Sequence, residues 1–344
     1  MARGAVLRLA AGLLVAVLTA GAHWCVPGDA FAAEAVHATR IAVEGHGPRP
    51  RIGGLIYRGG LRLTSGDGRF GGLSDLRVLE DGARLIAISD RGNWVSGSLH
   101  YDPGGDLIDL DGVTIKRMTG VNGKPLRRLY NRDAEALTRW PGGGWLVAFE
   151  HFHRLRVFPA PDGADPAVPV PAPESLKEAP LNGGIEAAAL LPDSRLVLLT
   201  EDAGDGITRR GWIGDGSQWA EIRYPVSAAF RPTAAASLPG GDLLVLERSL
   251  TLLGGLAARV VKVPAARLAP GAELCGTVLA TVDQPFPVDN FEGLAVRTSA
   301  AGETFVYLVS DDNFFALQET ILLMFELTDR AADPSSEARD TCRP

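Results

Sequence analysis

Cysteine is scarce: three residues in a chain of 344 cannot form the framework of a disulfide-stapled domain. Aromatic residues make up only 7% and no Lys/Arg block occurs in a chain of net charge −7, which excludes a nucleic-acid binder. Gly-x-Ser-x-Gly is missing, and with it the usual α/β serine hydrolase. Neither a phosphate-binding loop nor a dinucleotide fingerprint follows any apolar run. Long hydrophobic runs are also missing; the longest, Leu9 to Ala22, is about fourteen residues, short of the ~20 that span a bilayer. What is plentiful is apolar surface, 46% hydrophobic, which excludes intrinsic disorder. Also plentiful are Gly and Pro, 41 and 23 residues, which suit many short strands joined by turns.

Residues 1–32 read as a secretory signal peptide. Arg3 and Arg8 precede the apolar run, and Ala30 and Ala32 supply small residues at −3 and −1, so cleavage is expected after Ala32. The expected location is therefore periplasmic or secreted, with no membrane insertion after cleavage. Cys275 and Cys342 remain in the mature chain. A bond between them would tether the polar tail 329–344 to the body, but their separation in space is not readable from sequence.

Five segments repeat one plan: an apolar strand, a Pro/Gly/Asp turn, and a second apolar strand closing on an acid. They begin at Gly71, Glu135, Glu186, Thr233 and Glu292. The intervals, 47 to 64 residues, and the several short strands per unit are the mark of propeller blades. The expected fold is all-β, a β-propeller occupying 40–328, of six blades with five or seven as alternatives. Early strands (Arg40–Val43, Leu55–Leu63) would pair with the late one (Thr320–Leu327) to close the ring and remove its edges.

In a symmetric hairpin the first residue of one strand faces the last of the next. This predicts Glu135 beside Glu150, Glu186 beside Glu201 and Glu292 beside Asp311, with Asp90 and Glu247 at the equivalent place in the other two copies. Blade rotation would gather these acids on one face. So many carboxylates cannot all ionise cheaply without a cation, and an oxygen-rich set suits a hard one such as calcium. Glu135, Glu186, Glu292, Asp311 and Asp90 are the expected metal ligands. Glu150 or Glu201 is the expected general base, with His151 as a general acid or anion contact. Arg91, Arg132, Arg231 and Arg248 flank the same positions and are expected to bind substrate. Acids at strand ends are also commonly solvated or tie turns, so each residue taken singly has a structural alternative.

Phe70-Gly71-Gly72-Leu73-Ser74, Leu85 to Gly92, Asp133 to Leu137, Asn290 to Ala295 and Ser310 to Phe314 resemble the phytase-like family known as "esterase-like activity of phytase". The resemblance runs from about Gly53 to Leu327. It implies a secreted bacterial β-propeller that hydrolyses phosphate or carboxylic esters. The dense aspartate clusters and lysine-rich phosphate site of calcium-dependent propeller phytases are not reproduced. The pattern is also similar to lactonase-type propellers, which hold one calcium in a ring of acid and amide side chains. The expectation is thus a monomeric hydrolase acting on a small anionic or ester substrate by metal-activated water. The alternatives are a calcium-dependent lactonase-type hydrolase and a non-catalytic propeller that binds a partner or envelope component.

Overall fold

The computed structural model describes residues 35–226, 229–251, 255–328 and 340–342. The expected signal peptide and most of the C-terminal tail lie outside the described residues. Among those residues there is no α-helix; three short 3-10 turns interrupt an otherwise all-β chain.

Five antiparallel sheets form the blades of a β-propeller. Blade 1 comprises Leu73–Val78, Arg84–Ser89, Asn93–Tyr101 and Leu107–Arg117. Blade 2 comprises Ala134–Arg139, Trp145–Phe149, Arg154–Phe158 and Val168–Val170, and blade 3 Ile185–Leu190, Leu196–Gly204, Thr208–Gly214 and Trp219–Pro225. Blade 4 comprises Phe230–Ser237, Leu243–Thr251, Gly255–Val263 and Thr277–Val282. Blade 5 takes Phe291–Thr298, Thr304–Ser310 and Thr320–Leu327 from the end of the chain, then Leu55–Thr64 and His37–Arg40 from its beginning. Pairing of Thr320 with Leu63 and of Leu327 with Leu55 closes the ring and leaves no free edge between first and last blade.

The expected count of six blades is corrected to five. Early strands do not found a blade of their own; they complete the fifth, and the inter-blade loops are long enough to stretch the repeat beyond ~50 residues.

The first strand of each blade is innermost and the core lies between neighbouring blades. Leu294 and Val306 of blade 5 pack with Leu244 and Val260 of blade 4, and Leu76 and Ala87 of blade 1 pack with Ala295 and Tyr307 of blade 5. Strands alternate inward and outward, so nearly every residue of these inner strands is buried. Each fully buried Leu or Val contributes about 1.5–3 kcal/mol.

Each inner strand carries one β-bulge at the same place. The register skips one residue at Ser74, Glu135, Glu186, Thr233 and Glu292. Two residues there oppose one on the partner strand, which bends the strand and re-aims the extra side chain. In blade 5 the residue after the bulge needs to be small: a Cβ on Gly293 would lie 2.6 Å from Val309 and 3.0 Å from the Asp75 Cα.

Cys275 and Cys342 are disulfide-bonded, with Cα atoms 5.3 Å apart. An isolated bridge from Thr277 to Asp340 lies beside the bond, so 340–342 is held against blade 4.

Candidate active site

The five bulges build the floor of a funnel at the end where the inner strands begin. Ser74, Glu135, Glu186, Thr233 and Glu292 form one tier: three acids and two hydroxyls. A second tier comes from the residue that follows each pairing partner on the second strand. Leu73 pairs with Ser89, Ala134 with Phe149, Ile185 with Thr200, Pro232 with Glu247 and Phe291 with Ser310. The next residues are Asp90, Glu150, Glu201, Arg248 and Asp311, four acids and one arginine. Backbone hydrogen bonds pin this tier: the N–H groups of Asp90, Glu150, Glu201 and Asp311 donate to the carbonyls of Gly72, Asp133, Gly184 and Asn290, each at 2.9–3.1 Å.

The register corrects all three expected pairings and the place of Glu247. Glu150 faces Asp133 rather than Glu135, Glu201 faces Gly184 rather than Glu186, and Asp311 faces Asn290 rather than Glu292, because the bulge removes one residue from the count. Glu247 is not in the funnel at all. It is fully buried in blade 4, where Arg259 donates to its carboxylate; Arg248 occupies the place expected for it.

The electrostatics follow from this crowding. Burial, and then the charges of Glu186, Asp133, Glu292 and Glu150, hold the Glu135 carboxyl well above the usual range. Burial followed by Glu150 and Glu201 does the same to Glu186. Glu292 is pushed up to about 8 by burial and Asp311. Asp90 is pushed to about 7 by burial, Asp311 and Asp133, and Asp311 to about 6 mainly by burial. Carboxyl groups approach one another within hydrogen-bonding range twice, Glu186 with Glu150 and Glu292 with Asp311. Such pairs need either a shared proton or a cation between them.

Arg248 is the one cation in the second tier. It pairs with Glu201 at 2.8 Å and Glu292 at 3.2 Å and also donates to Asn290. Burial alone would lower it, but Glu292, Glu201 and Glu186 outweigh that and hold its pKa above the ordinary value.

At the blade 2 edge, Asp133, Glu150 and His151 bring their ligand-capable atoms within 4.8 Å of one another. His151 Nδ1 lies 2.5 Å from Asp133, and its ring sits 5.2 Å from that of Tyr130. Glu150 accepts from the N–H groups of Gly183 (2.7 Å) and Gly184 (2.5 Å). His153 is turned to the Pro180 carbonyl instead.

The other expected arginines stand at the rim. Arg91 lies over the Phe314 ring, 3.0 Å from its centroid, and Arg132 backs onto Gly92. Arg231 pairs with Asp202 at 2.8 Å and is not brought to the acids. Asp312 ties blade 5 to blade 1, accepting from the Gly72 N–H at 2.8 Å.

Sequence reasoning missed Ser74 as a tier member, and it missed Asp75 and Arg77. These two cross the central channel. The Arg77 guanidinium donates to the carbonyls of Leu294, Ala188 and Ala235. Asp75 accepts from the N–H groups of Leu137 and Leu294. At the places equivalent to Asp75 the other blades have Ala136, Ala187, Ala234 and Gly293, and this contrast was a readable signal. On the far side of Arg77 a cavity of about 270 Å³ is lined by Arg77, Thr138, Trp145 and Val296. The acidic funnel is therefore a blind cup.

The family model described as "Phytase-like: Esterase-like activity of phytase" matches residues 68–314. The chain belongs to this phytase-like family. Its matched segment starts just before the first inner strand and ends on Phe314, so all five bulges of the phytase-like domain fall within it. No curated protein sequence matches the chain. Similar solved structures include a luciferin-regenerating enzyme (13% identity, 77% of this chain and 96% of that one, TM-score 0.40). A putative gluconolactonase shares 14% identity over 85% of this chain and 93% of that one, with a TM-score of 0.42. A protein of unknown function from Dyadobacter fermentans shares 14% identity over 86% and 92%, with a TM-score of 0.40.

Glu135, Glu186, Glu292 and Asp311 offer only oxygen and repel one another from three blades, the kind of donor a hard cation takes. Among the described acids of the funnel, the group whose ligand atoms already lie within 4.8 Å of one another is Asp133, Glu150 and His151, which could hold a metal ion.

Proposed function

We propose that this phytase-like propeller is a periplasmic or secreted hydrolase of phosphate or carboxylic esters, working in the acidic cup. The observation that carries the reading is the convergence of three glutamates, each on an equivalent bulge, with Asp311 alongside them and every pKa raised. Solvation would favour dispersed acids; these are buried and pressed together.

Glu135, Glu186, Glu292 and Asp311 would hold a calcium ion, whose contribution when bound is to polarise an ester oxygen and acidify a water. Glu150 is suited to take a proton from that water, since two backbone N–H groups fix its other oxygen. Glu201 is held by Arg248 and serves as the alternative base. His151, oriented by Asp133, is placed to return a proton to the leaving group. Arg248 steadies negative charge inside the cup, and Arg91 and Arg132 draw an anionic substrate to the rim. Arg77 closes the channel below, so substrate enters and product leaves by the same mouth. The Cys275–Cys342 bond accords with an oxidising compartment.

The test is a screen of phosphate monoesters, carboxylic esters and lactones with calcium and with EDTA. Turnover of one class is expected only with calcium, and Glu186→Gln and Glu292→Gln are expected to abolish it. Activity surviving in EDTA and in both variants would overturn the mechanism. Turnover of lactones alone would narrow the class to lactonase chemistry. No turnover of any class, with calcium still bound, would favour a binding propeller.

A further inference from the structure

The described residues include ten large hydrophobic side chains that are more than half exposed, and most of them lie at one end of the blades, in connections or at hairpin ends. That end is the mouth. Four of the five blades contribute: Leu129 and Tyr130 enter before blade 2, Phe152 turns within it, Ile207 lies on the blade 3 hairpin, Leu250 on the blade 4 hairpin and Leu317 beside the blade 5 turn. Their exposures run from 61% to 83%. In blade 4 the strands continue past the funnel tier through three further pairs, Ser249–Ala257 to Thr251–Gly255. At ~3.3 Å per residue this projects the hairpin about 10 Å. The opposite end differs: its turns carry Glu80, Asp81, Asp162, Asp193, Asp215 and Asp242.

A second asymmetry coincides with the first. Arg117 donates to the Arg91 carbonyl, Asn93 donates to the Arg69 carbonyl, and Gly92 packs on Arg132, so Arg69, Arg91, Arg117 and Arg132 share one quadrant of the mouth. Burial, then Arg132, Arg69, Arg91 and Arg127, lowers the Arg117 pKa, as mutual repulsion requires. Only Arg69 has an ion-pair partner among the described residues, Asp67. Arg127 and Arg128 directly precede Leu129 and Tyr130, so unpaired cations and exposed apolar tips alternate along one loop.

We propose that the mouth face docks on an anionic lipid bilayer, with the apolar loop tips entering the headgroup region and the arginine quadrant contacting anionic headgroups. A protein partner is normally gripped by a contiguous apolar centre with a polar rim. The arrangement here is inverted: the centre is a polar well and the apolar groups stand around it, Tyr130, Phe152 and Leu181 gathered at His151 and Ile207, Leu250 and Leu317 on three other blades. Apolar tips around a polar centre can enter a soft interface without closing on one another, while clustered Arg adds attraction to anionic lipid. Docking would bring the cup over amphiphilic esters, but lipid binding stands apart from the ester reading because it is measured without turnover.

The experiment is co-sedimentation of the mature chain with vesicles of phosphatidylcholine alone and with 30% phosphatidylglycerol, at low and high salt. Binding to the anionic vesicles is expected, weakened by salt. The triple variant Ile207→Asp/Leu250→Asp/Leu317→Asp is expected to bind at least tenfold more weakly. These side chains are exposed and outside the cup, so its melting temperature and any ester turnover should match the parent. Arg127→Glu/Arg128→Glu is expected to lose the preference for anionic lipid. A parent protein that stays in the supernatant with both vesicles overturns the proposal, as does a triple variant that binds like the parent. Elution as a dimer that the triple variant dissolves, without vesicle binding, also overturns it and assigns the tips to a second copy of the chain.

Discussion

Asp75 and Arg77, two residues apart on the inner strand of blade 1, together bond the same position of every blade. Asp75 accepts from Leu137 in blade 2, Arg77 donates to Ala188 in blade 3 and Ala235 in blade 4, and both reach Leu294 in blade 5. The pair is joined at 2.9 Å, with Asp75 fully buried. It works as an axial pin, and removing one partner strands the other in a low-dielectric channel.

Asp75→Ala is therefore expected to cost about 3–5 kcal/mol in denaturant unfolding, the penalty for an orphaned buried charge. Burial pushes the Asp75 pKa from 3.8 to about 6. The folded state then binds the extra proton between about pH 4 and 6, so this group's contribution falls as pH rises through that window. Asp75→Asn should flatten that part of the stability–pH curve. An unchanged slope in the variant would count against the pin.

Cation dependence should grow with pH. Glu292 at about 8, Asp90 at about 7 and Asp311 at about 6 are all raised above their ordinary values. Without a cation, the stability of the cup is greatest in acid and is lost as pH rises towards 8. The melting temperature in EDTA should fall from pH 5 to pH 8, and added calcium should raise it more at pH 8 than at pH 5. A calcium effect that is the same at both pH values, or missing at both, would sink the ligand assignment.

The neighbours Glu247 and Arg248 should separate stability from activity. Glu247→Ala orphans Arg259 inside blade 4 and is expected to cost about 3–5 kcal/mol while leaving specific activity of the folded fraction unchanged. Arg248→Met removes the cation between Glu201 and Glu292 and is expected to lower turnover of an anionic ester about 100-fold. Steady-state kinetics beside thermal melts decides it; the reverse pattern would restore Glu247 to the funnel.

Breaking the Cys275–Cys342 bond is expected to destabilise the chain by about 2–4 kcal/mol, since it closes a separation of 67 residues. Cys342→Ser in non-reducing buffer should melt where the reduced parent melts. A variant as stable as the oxidised parent would show that the tether carries no load.

Much of the fold and part of the cup were legible because they rest on local rules. Strand–turn–strand spacing is set by period-2 alternation and by turn chemistry, so Pro141-Gly142-Gly143-Gly144 and Pro192-Asp193 announced their hairpins. The recurrence of Glu135, Glu186 and Glu292 at one hairpin position was visible for the same reason. The bulges were not visible, because one extra residue in one strand changes no composition and only shifts the partner count. That shift moved Glu150 opposite Asp133 and exchanged Glu247 for Arg248.

The sequence by itself determined an all-β ring of hairpins with acids gathered at one end, since those features follow from residue type and short-range spacing. Tertiary structure alone decided that five blades close the ring, because the early strands add to the edge of the blade that begins at Phe291 instead of supplying a sixth. It also decided that Asp75 and Arg77 meet the other four inner strands across the axis. Contacts of that kind depend on how blades rotate about a common centre, and no local pattern along the chain encodes that rotation.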